Sequence, residues 1–242
     1  MAKHDPANSR DPYASVRPIL EATDYPGSGD IQLHEAYLGE LARLLIARYS
    51  PSNVLDCGCG RAELTQKFGQ SEVSAFGIDL ARRAIVQSDD EVRGYLVQGA
   101  VDHPVGMPFR GSVFDLVIAH HVVEHLIYPM NLVRELGRVL RPGGIVCVVT
   151  TVLPFGIGTR GAWRFLGLQR KPDHVCLHGK RFWVKMFKDQ GFDFVGNIDS
   201  VLLKDPPGYF LARHSGRLGP PGKWLSRRLL SLTRVSFLFS RT

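Results

Sequence analysis

Between residues 53 and 150 the chain alternates short apolar runs with stretches whose apolar positions recur at helical spacing. Runs at 53–57, 73–78, 94–98, 114–119 and 145–150, several rich in β-branched residues, read as strands. Segments at about 61–69, 81–89 and 129–140 read as helices, and Arg141-Pro142-Gly143-Gly144 is expected to close the last of them. Upstream, Ile31 to Tyr49 carries Leu38, Leu41 and Leu45 at helical spacing, and Pro51 stops it. Strands alternating with helices predict an α/β fold built on a doubly wound, mostly parallel sheet. A helix at about 179–190, a strand near 192–203 and a last strand at 235–239 would supply an antiparallel edge.

Outside this frame the pattern loosens. Residues 1–30, rich in Pro, Gly, Asp and Ser, read as a flexible leader, and 31–242 as one domain. Residues 152–190, Gly-, Arg- and aromatic-rich at their start, read as an insertion on the substrate side of the sheet. No apolar run reaches the ~18 residues of a transmembrane helix. Met1 to Arg10 is polar and lacks an apolar signal core, so a cytoplasmic location is expected. Four cysteines, with Cys57 and Cys59 in one turn, do not make a disulfide framework.

The net charge of +7 is uneven. Residues 159–188 carry eight Lys/Arg against one Asp, the basic C-terminal segment 204–242 does the same, and the remainder is acidic. Such asymmetry concerns partners rather than the fold. Trp163, Phe165, Phe182 and Trp183 interleave with these cations, and Trp224 to Leu230 is amphipathic. The readings are peripheral contact with an anionic membrane, a nucleic acid, or ordinary solvated helix faces. A small-molecule or lipid-linked partner is favoured over RNA, because no recognised RNA-binding motif is present.

The chemistry concentrates in Val54-Leu55-Asp56-Cys57-Gly58-Cys59-Gly60-Arg61-Ala62, a strand running through an acid into a glycine-spaced turn. A second strand ends at Asp79, where an adenosine-type cofactor presents its ribose hydroxyls. A dinucleotide loop would want glycine where Glu63 stands, and that acid at a helix start would repel a pyrophosphate.

These residues resemble the class I S-adenosylmethionine-dependent methyltransferases, in the group of ubiquinone/menaquinone-type and small-molecule enzymes. Asp56 to Ala62 resembles that family's Asp-x-Gly-x-Gly-x-Gly loop, with Ala62 in the final glycine position. Phe114 to Ala119 followed by Val123-Glu124-His125-Leu126 is similar to its fourth strand and following helix, and Leu136 to Gly144 to its approach to strand five. The resemblance implies a Rossmann-like sheet, S-adenosylmethionine as cofactor and methyl transfer to an oxygen of the acceptor. It places Asp56, Cys57, Gly58, Cys59 and Gly60 around the methionine portion, Asp79 on the ribose, Leu80 on the adenine, and Ala119 and His120 beside the cofactor. The family often carries an acid after strand three for the adenine amino group. Here Gly99 precedes Ala100 and Val101, so the ring falls to those residues, with Asp102 as a substitute acid.

A hydroxyl acceptor benefits from a base titrating near neutrality, which favours histidine. His121 and His125, at i and i+4, are expected to share a helical face beyond strand four; His174, after strand five, is a third candidate base. Each could instead cap a helix or tether a loop. His121-Val-Val-Glu124-His125 also matches the inverted zinc-protease pattern. That pattern needs a long helix and a further acid, so no metal is expected. Two other classes compete: a non-catalytic cofactor-binding subunit, and an RNA-directed or nucleic-acid-binding protein using the basic tail.

Overall fold

The computed structural model describes residues 31–151, 174–196 and 234–242. In chain order the elements are α1 (Ile31–Tyr49), β1 (Asn53–Cys57), α2 (Glu63–Gly69), β2 (Ser74–Asp79), α3 (Arg82–Val86), α4 (Asp90–Arg93), β3 (Leu96–Gln98), β4 (Phe114–His120), α5 (Pro129–Val139), β5 (Leu140–Thr151), α6 (Lys180–Lys188), β6 (Phe192–Gly196) and β7 (Arg234–Arg241). A 3-10 turn spans Val123–His125. The strands form one sheet in the order β3-β2-β1-β4-β5-β7-β6. The first five run parallel, and β7 pairs antiparallel with both β5 and β6. This is the expected α/β, Rossmann-like, doubly wound architecture.

The sheet's two faces follow from strand pleat, which sends successive side chains to opposite sides. Leu55, Val117, Val146 and Val148 join one core with Leu132, Val133 and Leu136 of α5 and Trp183 and Phe187 of α6. Their neighbours Val54, Leu116, Ile118, Ile145 and Cys147 join the other, with Leu38, Leu41 and Leu45 of α1 and Leu64 and Phe68 of α2. Both faces are apolar, which is why the strands read as continuous hydrophobic runs.

Three expectations are corrected. Arg141-Pro142-Gly143-Gly144 does not close a helix; α5 passes directly into β5, because Leu140 already pairs with Phe114. The register then jumps to Leu116 opposite Ile145, so the four intervening residues form an irregularity within the strand. The helix expected over 81–89 is shortened to α3, and a further short helix, α4, follows beyond that span. Ser88 donates its hydroxyl to the Ile85 carbonyl, and Asp89 adopts extended backbone before the second helix. The strand expected at 94–98 is shortened to Leu96–Gln98, the residues that find partners on β2. The amphipathic stretch at 222–232, the leader and most of the insertion lie outside the described residues.

Candidate functional site

The carboxyl ends of β1, β2 and β4 lie side by side, and the loops leaving them hold most of the residues singled out from sequence. The loop after β1 is tied to β2 by two bonds: the Gly58 and Cys59 amides both donate to the Ile78 carbonyl, at 2.7 and 3.1 Å. Asp79 completes the tie. One of its oxygens accepts from the Gly60 amide at 2.8 Å and the other from the Ala81 amide at 2.7 Å. Gly58 has φ +72°, and a Cβ there would stand 2.3 Å from Val122 Cγ2, so two constraints demand glycine. Ala62 takes φ +63° with a side chain present.

Asp56 is buried beneath this loop and accepts the Thr65 hydroxyl at 2.9 Å. Burial pushes its carboxyl up to about 7, opposed by the Thr65 bond and aided by the charge of Asp79. Cys57 and Cys59 are buried free thiols, pushed well above the ordinary range by the same loss of water. Gly99 donates to the Asp79 carbonyl at 2.8 Å, which brings half-buried Ala100 and buried Val101 near half-buried Leu80. Asp102 is committed elsewhere: one of its oxygens accepts from the Ile127 and Tyr128 amides at the start of α5, at 3.1 and 2.8 Å. Ala119 is fully buried, and the His120 ring lies 5.6 Å from that of Tyr37 on α1.

The turn after β4 departs from expectation. His121 adopts φ +56° and only Val123–His125 form a 3-10 turn, so His121 and His125 do not share a helical face. His121 instead bends toward Glu124, with Nδ1 and Oε1 at 2.8 Å. The other Glu124 oxygen accepts the Thr150 hydroxyl of β5 at 2.8 Å, and the carboxyl is fully buried. Burial alone would raise the Glu124 carboxyl; the hydrogen bond and charge of His121, with the charge of His125, outweigh it and hold the group at about 2. Sequence reasoning quoted Glu124 within a motif and gave it no role. Thr150 was missed altogether; a β-branched strand end looks the same whether its hydroxyl is used or not.

His174 does reach this turn. Its ring meets that of His125 edge to face at 4.8 Å, and the nearby Cys176 amide donates to the Glu124 carbonyl at 2.9 Å. Glu124, His125 and His174 each offer a ligand atom within 4.8 Å of the others. His178 does not join them. It stacks on Phe182 at 3.7 Å and meets Trp183 edge-on.

A methyltransferase-domain family matches residues 30–196. The chain belongs to that family. Its sequence is 27% identical over 143 residues to malonyl-[acyl-carrier protein] O-methyltransferase of Enterobacter lignolyticus, covering 59% of this chain and 52% of that protein. It is 28% identical over 137 residues to the ubiquinone biosynthesis O-methyltransferase of Methylocella silvestris, covering 52% of this chain and 54% of that one. The chain thus spans about half the length of these curated relatives. Among solved structures, geranyl diphosphate C-methyltransferase of Streptomyces coelicolor, in complex with Mg2+, geranyl diphosphate and S-adenosylhomocysteine, superposes with a TM-score of 0.66. At 16% identity over 88% of this chain and 80% of that one, the likeness is one of fold.

Away from the carboxyl ends, a groove of about 590 Å3 runs along α6 and β6 at the far edge of the sheet. Lys180, Arg181, Lys185 and Lys188 line it beside Val184 and Phe194, with Asp189 paired to Lys185 at 2.6 Å. No helix among the described residues is long and apolar enough to cross a membrane.

Proposed function

We propose that this methyltransferase methylates an oxygen of a small or lipid-linked acceptor, with His121 as the base. The observation that carries the reading is the His121–Glu124 contact at the carboxyl end of β4, one loop away from the glycine turn. A buried carboxylate on Nδ1 fixes the imidazole tautomer and makes the opposite ring nitrogen a better proton acceptor. Thr150 holds that carboxylate from the other side, so the ring's orientation is set by two strands. The two curated relatives, both named as O-methyltransferases, support oxygen as the atom methylated.

The loop suits the cofactor on its own chemistry. Asp79 stands at the tip of β2 with each oxygen accepting a loop amide, and a carboxylate, which can accept about four hydrogen bonds, suits a pair of ribose hydroxyls. Gly58 lets the backbone come close where a Cβ would stand against Val122. Leu80, Ala100 and Val101 would border the adenine, and Ala119 and His120 the methionine portion. When bound, S-adenosylmethionine supplies an electrophilic methyl on a sulfonium sulfur. The protein's part is to bring the acceptor oxygen into line with that methyl and to take its proton. His125 and His174 border the acceptor's side of this arrangement.

The cations along α6 suit an acceptor presented with negative charge, on an anionic lipid surface among them. The test is release of S-adenosylhomocysteine with a panel of phenolic, carboxylic and lipid-linked acceptors, run beside His121→Asn. Turnover on an oxygen acceptor that falls on the order of 10²- to 10⁴-fold in the variant, with S-adenosylhomocysteine affinity kept, supports the reading. Equal turnover in the two proteins removes His121 from the chemistry.

A further inference from the structure

Glu124 occupies an expensive position. A fully buried carboxylate needs compensation, and an ionised one can accept about four hydrogen bonds. The side chain is held in place from both ends, by His121 on one oxygen and Thr150 on the other. Beyond those two bonds, the groups brought to it are two imidazoles, His125 from its own turn and His174 from across the chain.

The main chain builds this convergence. His125 donates its amide to the Val122 carbonyl at 2.8 Å, closing the 3-10 turn that carries Glu124 and His125. Cys176 donates its amide to the Glu124 carbonyl at 2.9 Å, which pins the segment bearing His174 against that turn. We propose that Glu124, His125 and His174 are the protein ligands of a site for one first-row divalent cation.

Three observations favour a cation over a merely structural cluster. The donor set is two imidazoles and one carboxylate, a combination suited to Zn2+, Mn2+, Fe2+ or Co2+ rather than to an all-oxygen Mg2+ or Ca2+ cage. One ligand atom from each residue lies within 4.8 Å of the others. Ligands about 2.1 Å from a shared ion sit roughly 3.0–3.5 Å apart, so closing the widest pair from 4.8 Å needs about 1.3–1.8 Å of movement. The two half-buried imidazoles can supply it by small side-chain rotations, while Glu124 stays fixed. Glu124 is also fixed by His121 on one oxygen and Thr150 on the other, so one ligand position is set by the fold.

Three protein ligands leave coordination positions open, the arrangement of a catalytic rather than a closed structural site. Such positions would serve an acceptor held beside His121, which contacts Glu124 at 2.8 Å. A coordinated acceptor hydroxyl or enol would lose its proton more readily, with His121 beside it to take that proton. This last step rests on the proposed function; the site itself does not.

The test uses the full chain, stripped with a chelator and titrated with Co2+ and Zn2+. Visible d–d absorption follows the first and calorimetry the second. The expected result is one equivalent bound by the parent protein. His174→Ala and His125→Ala should each weaken binding by more than the roughly 10- to 100-fold that loss of an outer-shell partner costs. His178→Ala, which alters an imidazole stacked on Phe182, should leave binding unchanged. Circular dichroism and S-adenosylhomocysteine binding establish that each variant is folded. No stoichiometric cation, or equal affinity in the His125 and His174 variants, overturns the site. S-adenosylhomocysteine binding without cation binding refutes this inference and spares the methyltransferase reading. One bound cation that depends on His174, in a chain that binds no S-adenosylhomocysteine, does the reverse.

Discussion

The loop after β1 and the turn after β4 leave neighbouring strands, and each forces a residue with a Cβ into left-handed backbone: Ala62 at φ +63° and His121 at φ +56°. They are held by different means. The first is a backbone device, in which amides of 58, 59 and 60 are spent on the Ile78 carbonyl and the Asp79 carboxylate. The second is a side-chain device, in which a buried glutamate gathers a histidine and a threonine. A backbone device tolerates any side chain that fits, and so serves recognition of a fixed cofactor. A side-chain device commits specific chemistry to one place. The two interlock where Val122 of the second fills the space over Gly58 of the first.

The largest test of the backbone device is the proton on Asp56. Its carboxyl sits at about 7 in the folded chain, against about 4 for an ordinary one. Below pH 4 both folded and unfolded chains carry the proton. As pH rises from about 4 to about 7 only the unfolded chain gives it up, so stability is lost across that window and is flat above it. About three pH units at 1.36 kcal/mol each set a ceiling of ~4 kcal/mol. Asp56→Asn keeps an acceptor for Thr65 and removes the titration. Urea melts at pH 4.5 and 8 should show the parent losing stability relative to the variant as pH rises. Parallel pH dependence in the two proteins would mean Asp56 is ionised when folded.

Gly58→Ala attacks the interlock. Left-handed backbone costs an alanine roughly 1–2 kcal/mol, and crowding against Val122 about 1–3 more. The expected loss is ~2–5 kcal/mol in a denaturant melt. The double variant Gly58→Ala/Val122→Ala should relieve the crowding and leave the backbone cost, giving a favourable coupling. Strict additivity would show that the two devices are independent.

Asp79→Ala separates binding from folding. Charge-assisted ribose bonds of roughly 1.5–3 kcal/mol should vanish from S-adenosylhomocysteine affinity. The Gly60 and Ala81 amides also lose their acceptor, so a drop in melting temperature should accompany it. Asp79→Asn keeps side-chain hydrogen-bonding capacity and should recover part of both.

The contrast also explains what could be read from sequence. The five parallel strands, their order of alternation with helices, and the glycine loop were legible, because pleat and turn stereochemistry write directly into residue type. Arg141 to Gly144 was misread because Pro-Gly-Gly signals a break without saying whether a helix or a strand is broken. Histidines 121 and 125 were placed on one helical face by spacing alone, and a single positive φ at His121 voids that periodicity. Asp102 looked like a substitute for a missing acid, but acids are equally used to hold helix-start amides, as Ile127 and Tyr128 show. Glu124 was hidden because burial of a charge is invisible in a sequence until its partners, here Thr150 from β5 and the segment of Cys176, are brought beside it.

The smallest expected effect bears on why the loop carries Ala62 where the motif it resembles ends in glycine. Ala62 is fully buried at φ +63°, and its amide donates to the Cys59 carbonyl at 2.8 Å. It precedes α2 without any side-chain cap. Ala62→Gly removes the backbone cost of roughly 1–2 kcal/mol but enlarges the unfolded ensemble by about 0.4–1 kcal/mol and gives up a buried methyl. The net expectation is a change within ~1 kcal/mol in either melting or denaturant midpoint, with S-adenosylhomocysteine affinity unchanged. A clear loss of stability would make the methyl a packing element of the loop. A clear gain of cofactor affinity would instead show that Ala62 holds the turn away from its best binding geometry, and that the backbone device is tuned rather than merely permitted by its residues.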